Sequence, residues 1–191
     1  SGTSTTNVTG GIIGNNSRGS TRMFYGDTGV VDTTTDNYKI KLGYDFDNWS
    51  ALLNLAYEDR NSDNVGNSYV VDSLGNTIWS GTVDQAGDVF TINGSRIGAS
   101  EQERKSLNTG LRLKGDLSDS TQMEVNLSSF DVSKDVTRTS SLNPNDPLYT
   151  GSGKVTDFGD TGWQTAEAKW TIDDLGTDGL TVIAGLRHEA Y

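Results

Sequence analysis

The stretch Tyr38-Lys39-Ile40-Lys41-Leu42-Gly43-Tyr44-Asp45-Phe46 alternates without a break. Tyr38, Ile40, Leu42, Tyr44 and Phe46 fall on one face, and Lys39, Lys41, Gly43 and Asp45 on the other. That is the period of two that a β-strand imposes on its side chains. After Asp47-Asn48 the pattern resumes, with Trp49, Ala51, Leu53, Leu55 and Tyr57 opposed by Asn54, Ala56 and Glu58; Leu52 is the exception. Both apolar sets share a face only if Phe46 pairs with Trp49, which leaves Asp47-Asn48 as a two-residue loop. Asp and Asn tolerate the positive φ that such loops require, so composition and parity agree on a hairpin.

Two further hairpins follow the same rule. Leu107, Thr109, Leu111, Leu113, Gly115 and Leu117 oppose Asn108, Gly110, Arg112, Lys114 and Asp116, and the return strand sets Met123, Val125 and Leu127 against Gln122, Glu124 and Asn126. Pairing Leu117 with Thr121 makes Ser118-Asp119-Ser120 the turn and brings Lys114 opposite Glu124, a favourable cross-strand pair. In the third hairpin Ala166, Ala168, Trp170 and Ile172 share a face with Leu180, Val182, Ala184 and Leu186. Glu167, Lys169, Thr171, Thr181, Gly185, Arg187 and Glu189 lie opposite, with Ile183 as the exception and 173–179 as the turn.

The connections between hairpins are long, from about Arg60 to Arg104 and from about Val136 to Thr161. Loops of that length are unusual within compact domains. Tight turns alternating with long loops, on strands of roughly 10 to 14 residues, is the layout of a transmembrane barrel, whereas sandwich strands more often run to ~5–6 residues. Aromatics sit at both ends of the apolar face: Tyr44, Phe46 and Trp49 beside the first turn, Trp170 near the third, Tyr38 and Tyr57 at the far end. Interfacial girdles would have this arrangement; the plainer reading is that aromatics simply favour strands. The expected fold is therefore all-β: antiparallel hairpins of a partial transmembrane β-barrel of about six or seven strands. Its short turns would be periplasmic and its long loops extracellular.

Composition sets the limits of that reading. Of 191 residues only 32% are hydrophobic, and the two prolines, Pro144 and Pro147, lie in one loop. No run approaches the ~20 apolar residues of a membrane helix, but barrel strands need a lipid-facing residue only at every second position. A net charge of −11 argues against nucleic acid, whose phosphates call for clustered Lys and Arg. Without cysteine there are no disulfides and no thiolate metal sites. No linker divides residues 1–191, which read as one domain. No signal peptide is recognisable, and Ser1-Gly2-Thr3-Ser4 reads as a start in mid-protein.

These segments resemble the barrels of TonB-dependent receptors of the siderophore-uptake type. The likeness is carried by residues 38–46, by Ser106-Leu107-Asn108-Thr109-Gly110-Leu111-Arg112-Leu113-Lys114, by 153–163 and by Val182-Ile183-Ala184-Gly185-Leu186-Arg187-His188-Glu189, and it covers roughly 23–191. It is a likeness of strand phrasing more than of identical residues. The resemblance implies a barrel of about 22 strands closed by a plug domain. It implies outer loops that capture a ligand such as a ferric siderophore, and coupling to the TonB complex through the plug. Nothing here resembles the plug, so the chain would be a middle piece of the barrel in the outer membrane of a Gram-negative bacterium, in contact with its lipid. No catalysis and no cofactor are expected.

Tyr69, Trp79 and Phe90, set among Gly, Asn and Asp in the first long loop, are the candidate ligand contacts. The competing reading makes Tyr69-Val70-Val71 and Asn76-Thr77-Ile78-Trp79 a small hairpin around Ser73-Leu74-Gly75, with the aromatics in its own core. Residues 59–64 open like a calcium loop, with oxygen-bearing side chains at positions 1, 3 and 5. The pattern then fails at Asn64 and Val70, where Gly and Glu are needed. His188, the only histidine, is accompanied by no nucleophile-elbow sequence and reads as a strand-end residue near the rim. Asn7-Val8-Thr9 and Asn93-Gly94-Ser95 match glycosylation sequons by composition alone, and the small-residue spacing from Gly10 to Gly14 is not set in an apolar helix. The rival function is a secreted or surface-attached β-rich adhesion or glycan-binding module. In that case the apolar face would pack against a second sheet.

Overall fold

In the computed structural model, which describes residues 2–7 and 10–191, the chain is all β apart from one 3-10 turn at Gly94–Arg96. The strands are β1 (Gly2–Asn7), β2 (Gly11–Asn15), β3 (Arg22–Asp27), β4 (Val30–Phe46), β5 (Trp49–Val65), β6 (Asn67–Ser68) and β7 (Gly81–Gln85). They continue with β8 (Asp88–Ile92), β9 (Ala99–Ser118), β10 (Thr121–Ser140), β11 (Gly153–Asp157), β12 (Thr161–Ile172) and β13 (Val182–Ala190). An eight-stranded sheet runs in the order β1-β4-β5-β9-β10-β12-β13, with β11 also pairing β10; β2-β3-β6 and β7-β8 form two smaller sheets. The paired strands are antiparallel in these registers, and among the described residues no sheet closes on itself. The expected all-β antiparallel architecture is present; a closed barrel is not.

Two compact units emerge. One comprises 1–35, 60–103 and 136–157; the other comprises 36–59, 104–135 and 158–191. All three short turns belong to the second, the strand unit. The first holds residues 60–103 and 136–157 of the two long connections and is the loop unit.

In the strand unit the sequence pattern determines the structure closely. β4 stops at Phe46 and β5 starts at Trp49, with Asp47 at φ +50° in the turn. β10 and β12 pair Met123 with Trp170, Val125 with Ala168 and Leu127 with Ala166. β13 then continues each apolar row: Trp170 opposes Ala184, Ala168 opposes Leu186, and Ala166 opposes His188. The polar rows run between them, through Glu124, Lys169 and Gly185, and through Asn126, Glu167 and Arg187. Lys169 approaches Glu124 at 3.6 Å, Asn126 donates to the same carboxylate at 3.0 Å, and Arg187 lies 3.9 Å from Glu167. Arg112 and Lys114 also act on Glu124 electrostatically, as the expected polar face requires.

Two turns depart from expectation. β9 runs to Ser118, so Asp119-Ser120 alone forms the second turn. The third extends to Thr181, because Asp173 accepts from the Thr181 hydroxyl at 2.6 Å and Asp174 from the Gly179 N–H at 2.7 Å. Leu180 is thereby drawn out of the strand.

The loop unit differs more from the sequence expectation. β5, β9 and β10 persist well past Arg60, Arg104 and Val136, reaching 17, 20 and 20 residues, so the free connections are shorter than expected. What remains is folded. Ile12, Tyr25, Val70, Val83, Phe90, Ile92 and Ile97 form a buried core, with Met23, Ile78 and Trp79 packed against it. The small hairpin around residues 73–75 is present: Val71 bridges Thr77, and Asp72 and Asn76 pair through backbone and side chains. β7 and β8 add a second hairpin through Ala86-Gly87, both at positive φ (55° and 88°). That two-residue geometry matches the strand twist, but Ala is a poor marker of it.

Buried polar groups close the loop unit. Asn143, fully buried, donates to the Gly66 and Ile97 carbonyls at 2.7 and 2.6 Å and accepts from the Asn145 N–H at 2.9 Å. Asn16 accepts from the Ser20 and Thr21 N–H groups and donates to Asp88 at 2.8 Å. Replacing Asn143 with Ala leaves two buried carbonyls without that donor, at about 1–3 kcal/mol for each unsatisfied group. Asn143→Ala should therefore accelerate amide hydrogen exchange across 141–152 and at Gly66 and Ile97 while leaving 104–135 unchanged. Exchange mass spectrometry or NMR reads this directly.

Candidate functional site

β2 and β3 pair Ile13 with Phe24, and β3 in turn pairs β6. The hydrogen bond from the Tyr69 N–H to the Tyr25 carbonyl, 2.9 Å, brings Tyr69 alongside β3. Alternation buries Tyr25 in the core and turns its neighbour Phe24 outward. Phe24 and Tyr69 then stack, with ring centroids 5.7 Å apart and planes at 20°. Both remain about half exposed, at 54% and 53%.

This pair is held in place. A β-carbon on Gly11 would lie 1.9 Å from the Phe24 ring, so the ring rests directly on that backbone. The Tyr69 hydroxyl donates to one carboxylate oxygen of Asp27; the other oxygen accepts from the Gly29 N–H at 2.7 Å and the Asn67 amide at 2.8 Å. Partial burial pushes the Asp27 carboxyl upward, but the hydrogen bonds from Tyr69, Asn67 and Gly29 outweigh it and hold it below its ordinary value. The same bond to Asp27 raises the Tyr69 phenol.

The three aromatics singled out in the sequence are thus placed differently. Phe90 is 3% exposed and belongs to the core, Trp79 packs against that core, and Tyr69 alone is outward-facing. Phe24, its stacking partner, was missed. Its only signal was the short alternation in Met23-Phe24-Tyr25, ambiguous without knowing which neighbour faces the core.

Other candidates resolve plainly. Residues 59–64 lie within the continuous strand β5, where Asp59, Asn61 and Asp63 share a face but are strung out at about 6.8 Å intervals along extended backbone and do not wrap around a cation as a loop would. Among the described residues no cluster of metal-ligating side chains occurs. His188 does not lie at a rim: it opposes Ala166 in the interior of β12, on the apolar face. Asn93 accepts from Ser95 and caps the 3-10 turn. Val8 and Thr9 of the other sequon are outside the described residues. In the strand unit a hollow of about 540 Å³ lies among Leu53, Leu111, Leu127, Ala166 and His188; it is largely apolar, with small side chains between longer ones. A cleft of about 280 Å³ in the loop unit is lined by Glu101, Arg138, Tyr149 and Lys154, and Glu103 already engages Arg138 at 2.9 Å. Compared with family models, curated proteins and solved structures, the chain matches none.

The exposed stacked pair is the arrangement best suited to holding a ligand: flat, rigid and accessible. Its clamp makes a pH prediction. Asp27, Asp72 and Asp88 are all held below the ordinary aspartate value of 3.8: Asp27 as above, Asp72 chiefly by Asn76, and Asp88 chiefly by Asn16. A depressed folded value means stability fully present above the unfolded value and lost as pH falls through the folded one. The loop unit should therefore hold its tyrosine near-ultraviolet dichroism down to about pH 4, and the signal should weaken progressively below that as the depressed folded values are crossed. Asp27→Asn should flatten part of that transition.

Proposed function

We propose that 36–59, 104–135 and 158–191 form part of the wall of an outer-membrane β-barrel. We further propose that the polypeptide belongs to a TonB-dependent receptor that imports a ligand, by the resemblance a ferric siderophore. The carrying observation is an apolar belt without a cover. In the strand unit Tyr38, Ile40, Leu42 and Tyr44 are 54–70% exposed, and among the buried hydrophobics only Val132 belongs to this unit. A contiguous exposed apolar surface of this kind marks an interaction with lipid or protein.

The belt has a definite height. From Tyr38 to Phe46 the strand spans roughly 27 Å at ~3.4 Å per residue, which at a barrel tilt of ~35–45° covers about 19–22 Å of the ~25 Å band and lies within the ~9–11 residues of barrel strands. Charges end it on the far side of the aromatics, where Asp59 meets Lys105 at 2.9 Å; Asp47, Asp119, Asp173 and Asp174 end it at the turns. Aromatics line both limits: Tyr38 and Tyr57 lie 6.3 Å apart at one, and Tyr44 and Phe46 stack at 5.9 Å at the other. The opposite face carries the ion pairs described above, as a wet lumen requires. In this reading the open edges of the sheet pair with further barrel strands, and a plug carries the contact with TonB.

The adhesion-module alternative needs a second sheet over the apolar face, and the described residues of this unit supply none. The two readings part on substitution. Leu53→Arg and Val125→Arg put a cation on the lipid-facing side at a cost of ~2–4 kcal/mol near the midplane. Each should sharply reduce the yield of full-length receptor assembled in the outer membrane. Asn54→Arg and Asn126→Arg, one residue away and facing the lumen, should assemble normally. Equal losses from both sets would reject the assignment.

A further inference from the structure

The loop unit carries a second inference, independent of whether the other unit crosses a membrane. Phe24 lies against the Gly11 backbone and stacks on Tyr69, and Tyr69 stays 53% exposed despite that stack. The pair therefore keeps an accessible aromatic surface to which a further flat layer can add. We propose that this surface is a stacking site for an uncharged pyranose ring, so that the loop unit binds neutral glycan.

Three features select that chemistry. The platform is rigid, because the Tyr69 hydroxyl is tied to Asp27 and Asp27 to Gly29 and Asn67; a ligand meets a pre-ordered surface and little entropy is lost in arranging it. The carboxylate at its edge, within a chain of net charge −11, disfavours anionic rings such as catecholates. The site is apolar on the ring face and polar at the ring edge, where the Tyr69 oxygen, already donating to Asp27, keeps lone pairs to accept from a hydroxyl. A pyranose has the matching form, with C–H groups on its face and hydroxyls around its rim. If the same platform contacts an imported chelate, that chelate is neutral.

The test uses the whole chain folded in a sugar-free detergent. Saturation-transfer NMR is recorded with maltohexaose, cellohexaose and chitohexaose, and with 2,3-dihydroxybenzoate as an anionic aromatic. At least one hexaose should take up saturation on its ring C–H protons, and dihydroxybenzoate should not. Tyr69→Ala should weaken binding about tenfold, the scale of a lost stacking contact, while Tyr69→Phe, which keeps the ring but loses the tether to Asp27 and the hydroxyl acceptor, should show a smaller loss of about two- to threefold. Tyr69→Leu, which keeps apolar bulk without a flat ring, must show the same loss if the alanine variant disturbs the core. Absence of saturation for every oligosaccharide, unchanged binding by Tyr69→Ala and Tyr69→Leu, or preference for dihydroxybenzoate would overturn the proposal.

Discussion

An apolar face that nothing in its own unit covers constrains the rest of the strand unit. Water imposes about 25 cal/mol on each Å² of apolar surface left exposed, and here the exposed surface includes Tyr38, Ile40, Leu42, Tyr44, Leu117 and Leu186. A sheet with one apolar face and almost no buried core is not a stable arrangement in water, because sheets normally bury that face against another layer. A lipid environment reverses the sign of the problem. The same alternation that would expose hydrocarbon to water exposes it to hydrocarbon, while the backbone polar groups between paired strands are satisfied along the ladder. The long uninterrupted strands, the charges that end the belt and the ion pairs on the opposite face are all consistent with that single requirement.

The loop unit follows a different physics. It encloses its own core around Tyr25, Phe90, Ile92 and Ile97 and joins distant segments by buried amides, Asn143 to Gly66 and Ile97, and Asn16 to Asp88. It is a folded body of small sheets rather than a set of free loops. That rigidity lets a pair such as Phe24 and Tyr69 stay exposed yet ordered. Binding surfaces benefit from being set in advance on a stable scaffold.

The legibility of the sequence divides along the same line. Strand existence, the faces and the first turn were readable because the relevant signal is local: side chains two residues apart and a two-residue turn in which Asp47 accepts positive φ. The loop unit was not readable, since its contacts join residues far apart in sequence, such as Asn16 with Asp88 and Asn143 with Gly66. No period announces which residue meets which. The β7–β8 hairpin was hidden by an alanine in a turn position usually held by Asn or Gly. Of the three aromatics proposed from sequence, loop composition alone does not separate Tyr69, which faces out, from Phe90, which fills the core. Phe24 escaped because its role appears only once Tyr69 is seen beside it.

The absence of cysteine from these 191 residues, with any cysteine elsewhere in the full-length protein replaced by serine, makes the central claim directly measurable. Single cysteines placed in turn at residues 38 to 45 of the full-length protein in lipid vesicles can each carry a nitroxide. Collision rates with oxygen, which partitions into hydrocarbon, and with a water-soluble nickel chelate then report which face meets which medium. An apolar belt in the bilayer predicts a period of two: labels at Tyr38, Ile40, Leu42 and Tyr44 favour oxygen, and labels at Lys39, Lys41, Gly43 and Asp45 favour the chelate. If the labels at 38, 40, 42 and 44 prove as accessible to the chelate as their neighbours, or shielded from both reagents, the membrane account is wrong.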